Sequence, residues 1–187
     1  MKKLLVFIIA ICFGAMAFTT PGKGDKPSKS VTELLKYYKE NYEVLSKINM
    51  VYNYNGNKPG SSSSKDINTN YAVDFKGTEK YLTGIKKSGF VGQKLIDKLR
   101  NHFLKCEKDF KDNPQNSGVP RGFENDFLML NDDFMNDLNN LQKIEIMDEA
   151  IRSNASATVK VKFPSGNVRV YDLAKQNDIW LVSEITM

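Results

Sequence analysis

The residue types that carry most enzyme chemistry are scarce in this chain, and their spacing narrows what they can do. His102 is the one histidine among 187 residues. Cys106 follows it by four, a step that places both on one helix face. A Cys–His nucleophile pair would need that contact, yet no nucleophile motif surrounds either residue. Cys106, close behind Phe103 and Leu104, reads as a buried structural thiol. One histidine and one such thiol also fall short of a zinc ligand set. Asp126, Asp132, Asp133 and Asp137 form an acidic cluster for which calcium would be the sharp use. They lack the alternating D-x-[DN]-x-[DN]-G loop, so a solvated helix end is the expectation and no metal is assigned. Gly77, Gly84, Gly89 and Gly92 do not make a phosphate-cradling motif, and no cofactor is assigned.

Charge and leader composition bound the rest. Lysine and arginine number 27 against 22 acidic residues, a formal charge of +5. The two signs are interleaved rather than blocked, so nucleic acid is not an expected partner. Met1-Lys2-Lys3, the apolar run Leu4 to Phe13, and Ala15-Met16-Ala17 have the three parts of a cleavable secretory signal peptide over residues 1–17. Cleavage would remove Lys2, Lys3 and Cys12, lower the charge to about +3, and leave Cys106 alone. A single thiol forms no internal disulfide, so the mature fold must rest on its core. No later apolar stretch is long enough for a membrane span. The expected location is periplasmic or extracellular.

The elements that would position any site follow in order. Residues 18–29, rich in Pro, Gly, Lys and Ser, read as a tether. One domain is expected over 30–187. Ser30-Val31-Thr32-Glu33 has the form of a capping box, and Val31, Leu34, Leu35, Tyr38, Tyr42 and Leu45 then mark one stripe of a long helix. Tyr38 and Tyr42 are candidates to line a cavity, though core packing is the plainer use. Residues 53–70, with Ser61 to Ser64 in a row, read as an exposed loop. A short helix is expected over Thr78 to Lys87 and another along Val91, Leu95, Ile96, Leu99 and Phe103. Phe123 to Leu141 fits a helical stripe, with a break at Asn131-Asp132-Asp133. The end of the chain alternates. Ala157, Val159, Val161 and Phe163 face one way and Thr158, Lys160 and Lys162 the other. Turn residues at Pro164 to Asn167 and Gln176 to Asp178 separate further runs at Val168 to Leu173 and Ile179 to Ile185. Lys143 to Ile151 is expected to supply an earlier strand, giving an antiparallel meander covered by helices.

This α+β order resembles the cone-shaped fold of the nuclear transport factor 2-like superfamily, and within it an uncharacterised family of exported bacterial proteins. The resemblance rests on Tyr81-Leu82-Thr83 at a helix start, Asp126-Phe127-Leu128, the strand Ala157 to Phe163 and the closing Trp180-Leu181-Val182-Ser183-Glu184-Ile185. It spans about residues 30 to 187 and implies a curved antiparallel sheet wrapped by a long N-terminal helix and shorter helices. It implies no established reaction. Superfamily enzymes of this shape use pocket acids and tyrosines for isomerase or dehydratase chemistry. By that analogy Asp126 would abstract a proton beside Tyr42 while a tyrosine stabilises the oxyanion; capping is its plainer use. Tyr38, Tyr42, Tyr81 and Trp180 are the candidate ligand contacts, with core packing again the plainer use of Trp180. The primary expectation is an exported, non-enzymatic binding domain for a protein or small ligand, such as an envelope immunity or inhibitor protein. A small-pocket isomerase or lyase is the alternative. A structural accessory of an envelope complex, docking through an exposed edge strand, is a third.

Overall fold

The first helix begins before the anticipated capping box. In this computed structural model, which describes residues 26–53 and 70–187, α1 runs from Pro27 to Leu45 with Pro27 in its first turn. Proline suits that place because its missing N–H would have no partner there and its φ is already helical. Ser30 therefore lies inside the helix, 2% exposed, and caps nothing. The expected signal peptide of residues 1–17, residues 18–25 of the expected tether and residues 54–69 lie outside the described residues, while residues 27–29 of that tether are helix instead.

The apolar stripe of α1 is buried as its spacing predicts: Val31, Leu34, Leu35, Tyr38 and Leu45 all lie in the core. Each such side chain stabilises the fold by about 1.5–3 kcal/mol. This face packs on an antiparallel sheet of β3 (Glu145–Ser153), β4 (Ser156–Lys162), β5 (Val168–Gln176) and β6 (Ile179–Thr186), in the order β3-β4-β5-β6. The meander is the one the turn residues predict. The fold is thus α+β, with four antiparallel strands at its C-terminal end.

The parity of β6 is informative. Trp180 and Val182 are buried, and so are Ser183 and Ile185. A strict period of two cannot place all four on one side. The register against β5 shifts between Asp172 and Leu173, and Ser183 Oγ donates to the Asp172 carbonyl at 3.0 Å. A bulge of this kind restores the apolar phase for Ile185. At one edge of the sheet, β6 is covered, because Gly92 N–H donates to Val182 O and Val182 N–H to Phe90 O, both at 2.8 Å. The other edge, β3, pairs with no further strand among the described residues. Its pairing with β4 shifts register twice, and Ile146, Met147 and Ile151 are exposed.

Two further helices complete the cover. Asp74 accepts from Gly77 N–H at 3.0 Å and caps α2, Phe75–Lys86. This helix starts three residues before the sequence pattern suggests. Gly92 precedes α3, Gln93–Asp112, which runs well past Phe103 to bury Cys106 and Phe110. The ends of the Asn/Ser-rich segment are paired as two short strands, β1 (Val51–Tyr52) and β2 (Ala72–Val73). Glu107 of α3 accepts from Val73 N–H at 2.8 Å and so fastens that neck to the domain.

The Phe123 to Leu141 stretch is mostly not helical. Only α4, Met135–Asn139, and a 3-10 turn at Leu141–Lys143 form there. Asp137, 1% exposed, accepts from Ser165 N–H at 2.8 Å and from Ser165 Oγ at 2.7 Å. It therefore ties α4 to the β4–β5 turn. Asp137→Ala should cost about 1–3 kcal/mol, read as a lower urea midpoint with unchanged slope. A midpoint within error of the parent would show that this tie does not hold the hairpin.

Candidate functional site

Asp126 organises the segment that the helical pattern misread. Its Oδ1 accepts from the N–H groups of Leu128 at 2.9 Å and Met129 at 2.8 Å. Its backbone carbonyl accepts from Leu130 N–H and its own N–H donates to the Asn131 carbonyl. These bonds close a loop in which Leu130 takes φ 54°, a conformation no helix contains. Leu128 and Met129 are driven into the core at 1% and 2% exposure. Arg169 of β5, itself 3% exposed, donates from Nε to the Met129 carbonyl at 2.9 Å and holds the loop from the sheet side. Asp126 thus has its capping role, on a loop rather than a helix.

The other carboxylate oxygen faces α1. The Tyr38 hydroxyl donates to Asp126 Oδ2. Tyr42 lies one turn on, its ring edge-on to Tyr38 with centroids 5.8 Å apart and to Phe134 at 5.4 Å. Tyr81 of α2 packs edge-on against Phe127 at 5.8 Å. Tyr38, Tyr42, Tyr81 and Asp126 together line an open cleft of about 630 Å³, with Phe123, Phe127 and Phe134 on its loop side and Leu45 to Val51 opposite. Asp126 and Phe127 also line a smaller cavity of about 260 Å³ that reaches α3 at Leu95, Leu99 and His102.

Electrostatics follow from enclosure. Part of Asp126 reaches the cleft surface, yet protein surrounds most of its carboxylate. Burial raises its pKa above the ordinary value, against the lowering effect of the Tyr38 hydroxyl and the two N–H groups. Burial likewise pushes the Tyr38 hydroxyl far up, and the neighbouring Tyr81 and Asp126 add to it. The Tyr81 phenol is raised first by burial and then by Asp126. Its oxygen is buried near Tyr38 but makes no hydrogen bond of standard geometry among the described residues. The Tyr171 hydroxyl on β5 is also buried with no hydrogen-bond partner among the described residues.

The remaining candidates lie elsewhere. Trp180 is 4% exposed on β6, outside the cleft lining, with the Lys175 ammonium 5.4 Å above its ring. The acidic cluster is dispersed: Asp126 is bonded to Tyr38, Asp137 to Ser165, and Asp132 and Asp133 are exposed. Among the described residues no group of three or more His, Cys, Asp or Glu side chains is placed to hold a metal. Nor is any helix there long and apolar enough to cross a membrane.

His102 and Cys106 do meet, with Nε2 and Sγ 3.4 Å apart. The same Nε2 lies 2.7 Å from the Gly122 carbonyl, which can only accept, so Nε2 carries a proton. It then has no lone pair with which to take the thiol proton. Burial, reinforced by Glu124 and Asp109, pushes the thiol up to about 11. The spacing rule found the contact but could not reveal the carbonyl that disarms it. The aromatic side chains of the 123–134 loop were missed as cleft lining because a helical reading turned them into a core stripe.

The fold and the site together define an α+β domain with a tyrosine- and carboxylate-lined cleft between its first helix and an internally capped loop. No family model, no curated protein and no solved structure matches the chain.

Two outcomes follow from this geometry. Tyr38→Phe, which leaves a buried carboxylate oxygen without its donor, should lose about 1–3 kcal/mol. In Asp126→Asn the amide oxygen can keep both backbone bonds and the amide N–H can donate to the Tyr38 oxygen, so stability at pH 7 should stay within about 1 kcal/mol. Because the folded pKa of Asp126 is raised above 3.8, ionisation costs stability as pH rises through that folded value. The wild type should therefore gain on Asp126→Asn as pH falls toward 3.8, in urea unfolding at a series of pH values; the opposite slope would show a carboxylate stabilised by its donors. Separately, Cys106 should react with iodoacetamide at pH 8 at least about 100-fold more slowly than a free thiol. A free-thiol rate would restore the activated pair.

Proposed function

We propose that this is an exported, non-enzymatic binding domain of the nuclear transport factor 2-like superfamily that holds its ligand in the cleft beside Asp126. Membership rests on the resemblance of residues 30 to 187, together with the order of long helix, short helices and antiparallel meander. Export rests on the signal-peptide pattern of residues 1–17.

The observation that carries the binding reading is the Tyr38–Asp126 hydrogen bond itself. In an acid–base site the carboxylate and the phenol would flank a substrate. Here the phenol spends its one proton on the carboxylate, whose other oxygen already receives two backbone N–H bonds. The pair is assembled as a wall of the cleft. An envelope immunity or inhibitor role belongs to this reading, with the cleft mouth as the surface offered to a partner.

Isomerase or lyase chemistry is the second reading, and one observation favours it: the raised pKa of Asp126 beside the uncommitted Tyr81 hydroxyl. It needs Tyr81, rather than Tyr38, as oxyanion donor. Deuterium wash-in from D2O into cyclic ketones, abolished by Asp126→Asn, would establish it. The β3 edge leaves room for the accessory role, but its bulges and charges are the devices by which edges avoid pairing.

Fragment screening by amide chemical shifts tests the cleft. Hits should perturb Tyr42, Asp126, Phe127 and Phe134, and Tyr42→Ala should weaken them at least about 10-fold. Hits confined to other surfaces would overturn the proposal.

A further inference from the structure

The cleft carries a sign of charge opposite to that of the whole molecule. Among the described residues Glu124, Asp126 and Asp132 line it, with Lys47 the one cation. Lys47 is bonded to Glu43 at 2.6 Å, so its charge is already answered from outside the lining. The chain as a whole is +5. Three carboxylates along one cleft of a basic protein, one of them mostly enclosed and two exposed, bias the potential there toward negative.

Aromatic faces accompany that potential. Tyr42, Phe127 and Phe134 line the same space, and an aromatic ring attracts a cation to its face while burying apolar surface. An anionic ligand would meet repulsion from the acids, and a strongly polar neutral one would gain little from the rings.

A second observation points the same way and is independent of the acids. Tyr81 is 3% exposed, lines the cleft, and its hydroxyl, beside that of Tyr38, makes no hydrogen bond of standard geometry among the described residues. An unsatisfied buried hydroxyl is costly and favours whatever can pair with it. Tyr38 has given its proton to Asp126, so the Tyr81 oxygen still lacks a donor. Asp126 Oδ2 has a further lone pair for one as well. A ligand with several N–H donors on one positively charged centre can answer both.

We propose that the cleft binds a protonated amine bearing an aromatic or other flat apolar group. The ammonium sits at Asp126 and Tyr81, with Glu124 and Asp132 supplying longer-range attraction. The apolar group lies against Phe127, Phe134 and Tyr42. This deepens the binding reading above and rests on it.

Three probes of one shape separate the terms: 2-phenylethylamine, protonated at pH 7; 2-phenylethanol, its neutral analogue; and 3-phenylpropionate, an anion. Each is titrated into the full mature chain, followed by amide chemical shifts and calorimetry. The amine should bind at least about 10-fold more tightly than the alcohol, and the acid should not bind. Shifts should centre on Tyr42, Asp126 and Phe127. Asp126→Asn, whose fold the capping bonds preserve, should abolish the preference for amine over alcohol. Glu124→Gln with Asp132→Asn should weaken the amine about 3-fold and steepen no salt dependence. If amine and alcohol bind the cleft equally, or Asp126→Asn keeps the preference, the cation inference fails while the binding reading stands. If none of the three perturbs the cleft, both fall together.

Discussion

The hydrogen bond from Tyr38 to Asp126 joins the two parts of the molecule that have least else in common. Tyr38 belongs to a helix whose position follows from its apolar stripe. Asp126 belongs to a stretch with almost no regular structure, where the backbone must find partners locally or lose them to burial. Without the side chain of Asp126, the N–H groups of Leu128 and Met129 would enter the core with nothing to donate to. Without Tyr38, that carboxylate would enter it half satisfied. The cleft is the space left between the helix and the loop once this bond has set their separation.

Other buried charged groups follow the same logic. Asp137 serves the backbone and hydroxyl of Ser165. Arg169 serves the carbonyls of Met129 and Val168. Among the described residues neither forms an ion pair. A buried charge answered only by dipoles is costly in isolation, but each of these replaces ladder bonds that an irregular chain cannot make for itself. They fix one conformation of the 126–143 region among many that its apolar content alone would permit. Charge here supplies uniqueness, whereas the burial of Leu128, Met129 and Leu138 supplies most of the free energy.

That division explains what could be read in advance. The α1 stripe, the alternation of β4 and the turn at Pro164 to Asn167 are periodic or local signals, and they translate directly into α1, β4 and the β4–β5 hairpin. The start of α1 was misplaced because Pro27 can begin a helix without a side-chain cap, so the S-x-x-E pattern at Ser30 had no work to do. The bulge at Ser183 was visible only as a parity clash between Trp180 and Ile185. Phe123 to Leu141 has apolar residues at helical steps, and its true shape depends on Asp126 bonding to its own loop, on Leu130 at positive φ and on Arg169 reaching in from β5. No window of sequence contains that last partner. Of the candidate site residues, Tyr38, Tyr42, Tyr81 and Asp126 converge, while Trp180 serves the sheet.

The two chemistries that proximity alone would credit come apart on the question of where each proton already is. His102 touches Cys106, but its Nε2 proton is committed to the Gly122 carbonyl. Gly122 sits there at φ 82°, with room for no Cβ beside Cys106 Sγ, so no other residue fits that position without displacing the thiol. Tyr38 touches Asp126, and again the proton is committed within the pair. At Cys106 the arrangement removes the lone pair that a base would need, and at Asp126 it takes up the hydroxyl proton that an oxyanion would need. Tyr81 differs: its hydroxyl is enclosed near Tyr38 and Asp126 and makes no hydrogen bond of standard geometry among the described residues. Under the proposed binding reading, that hydroxyl beside the acidic and aromatic lining is where a ligand's polar group would meet the wall.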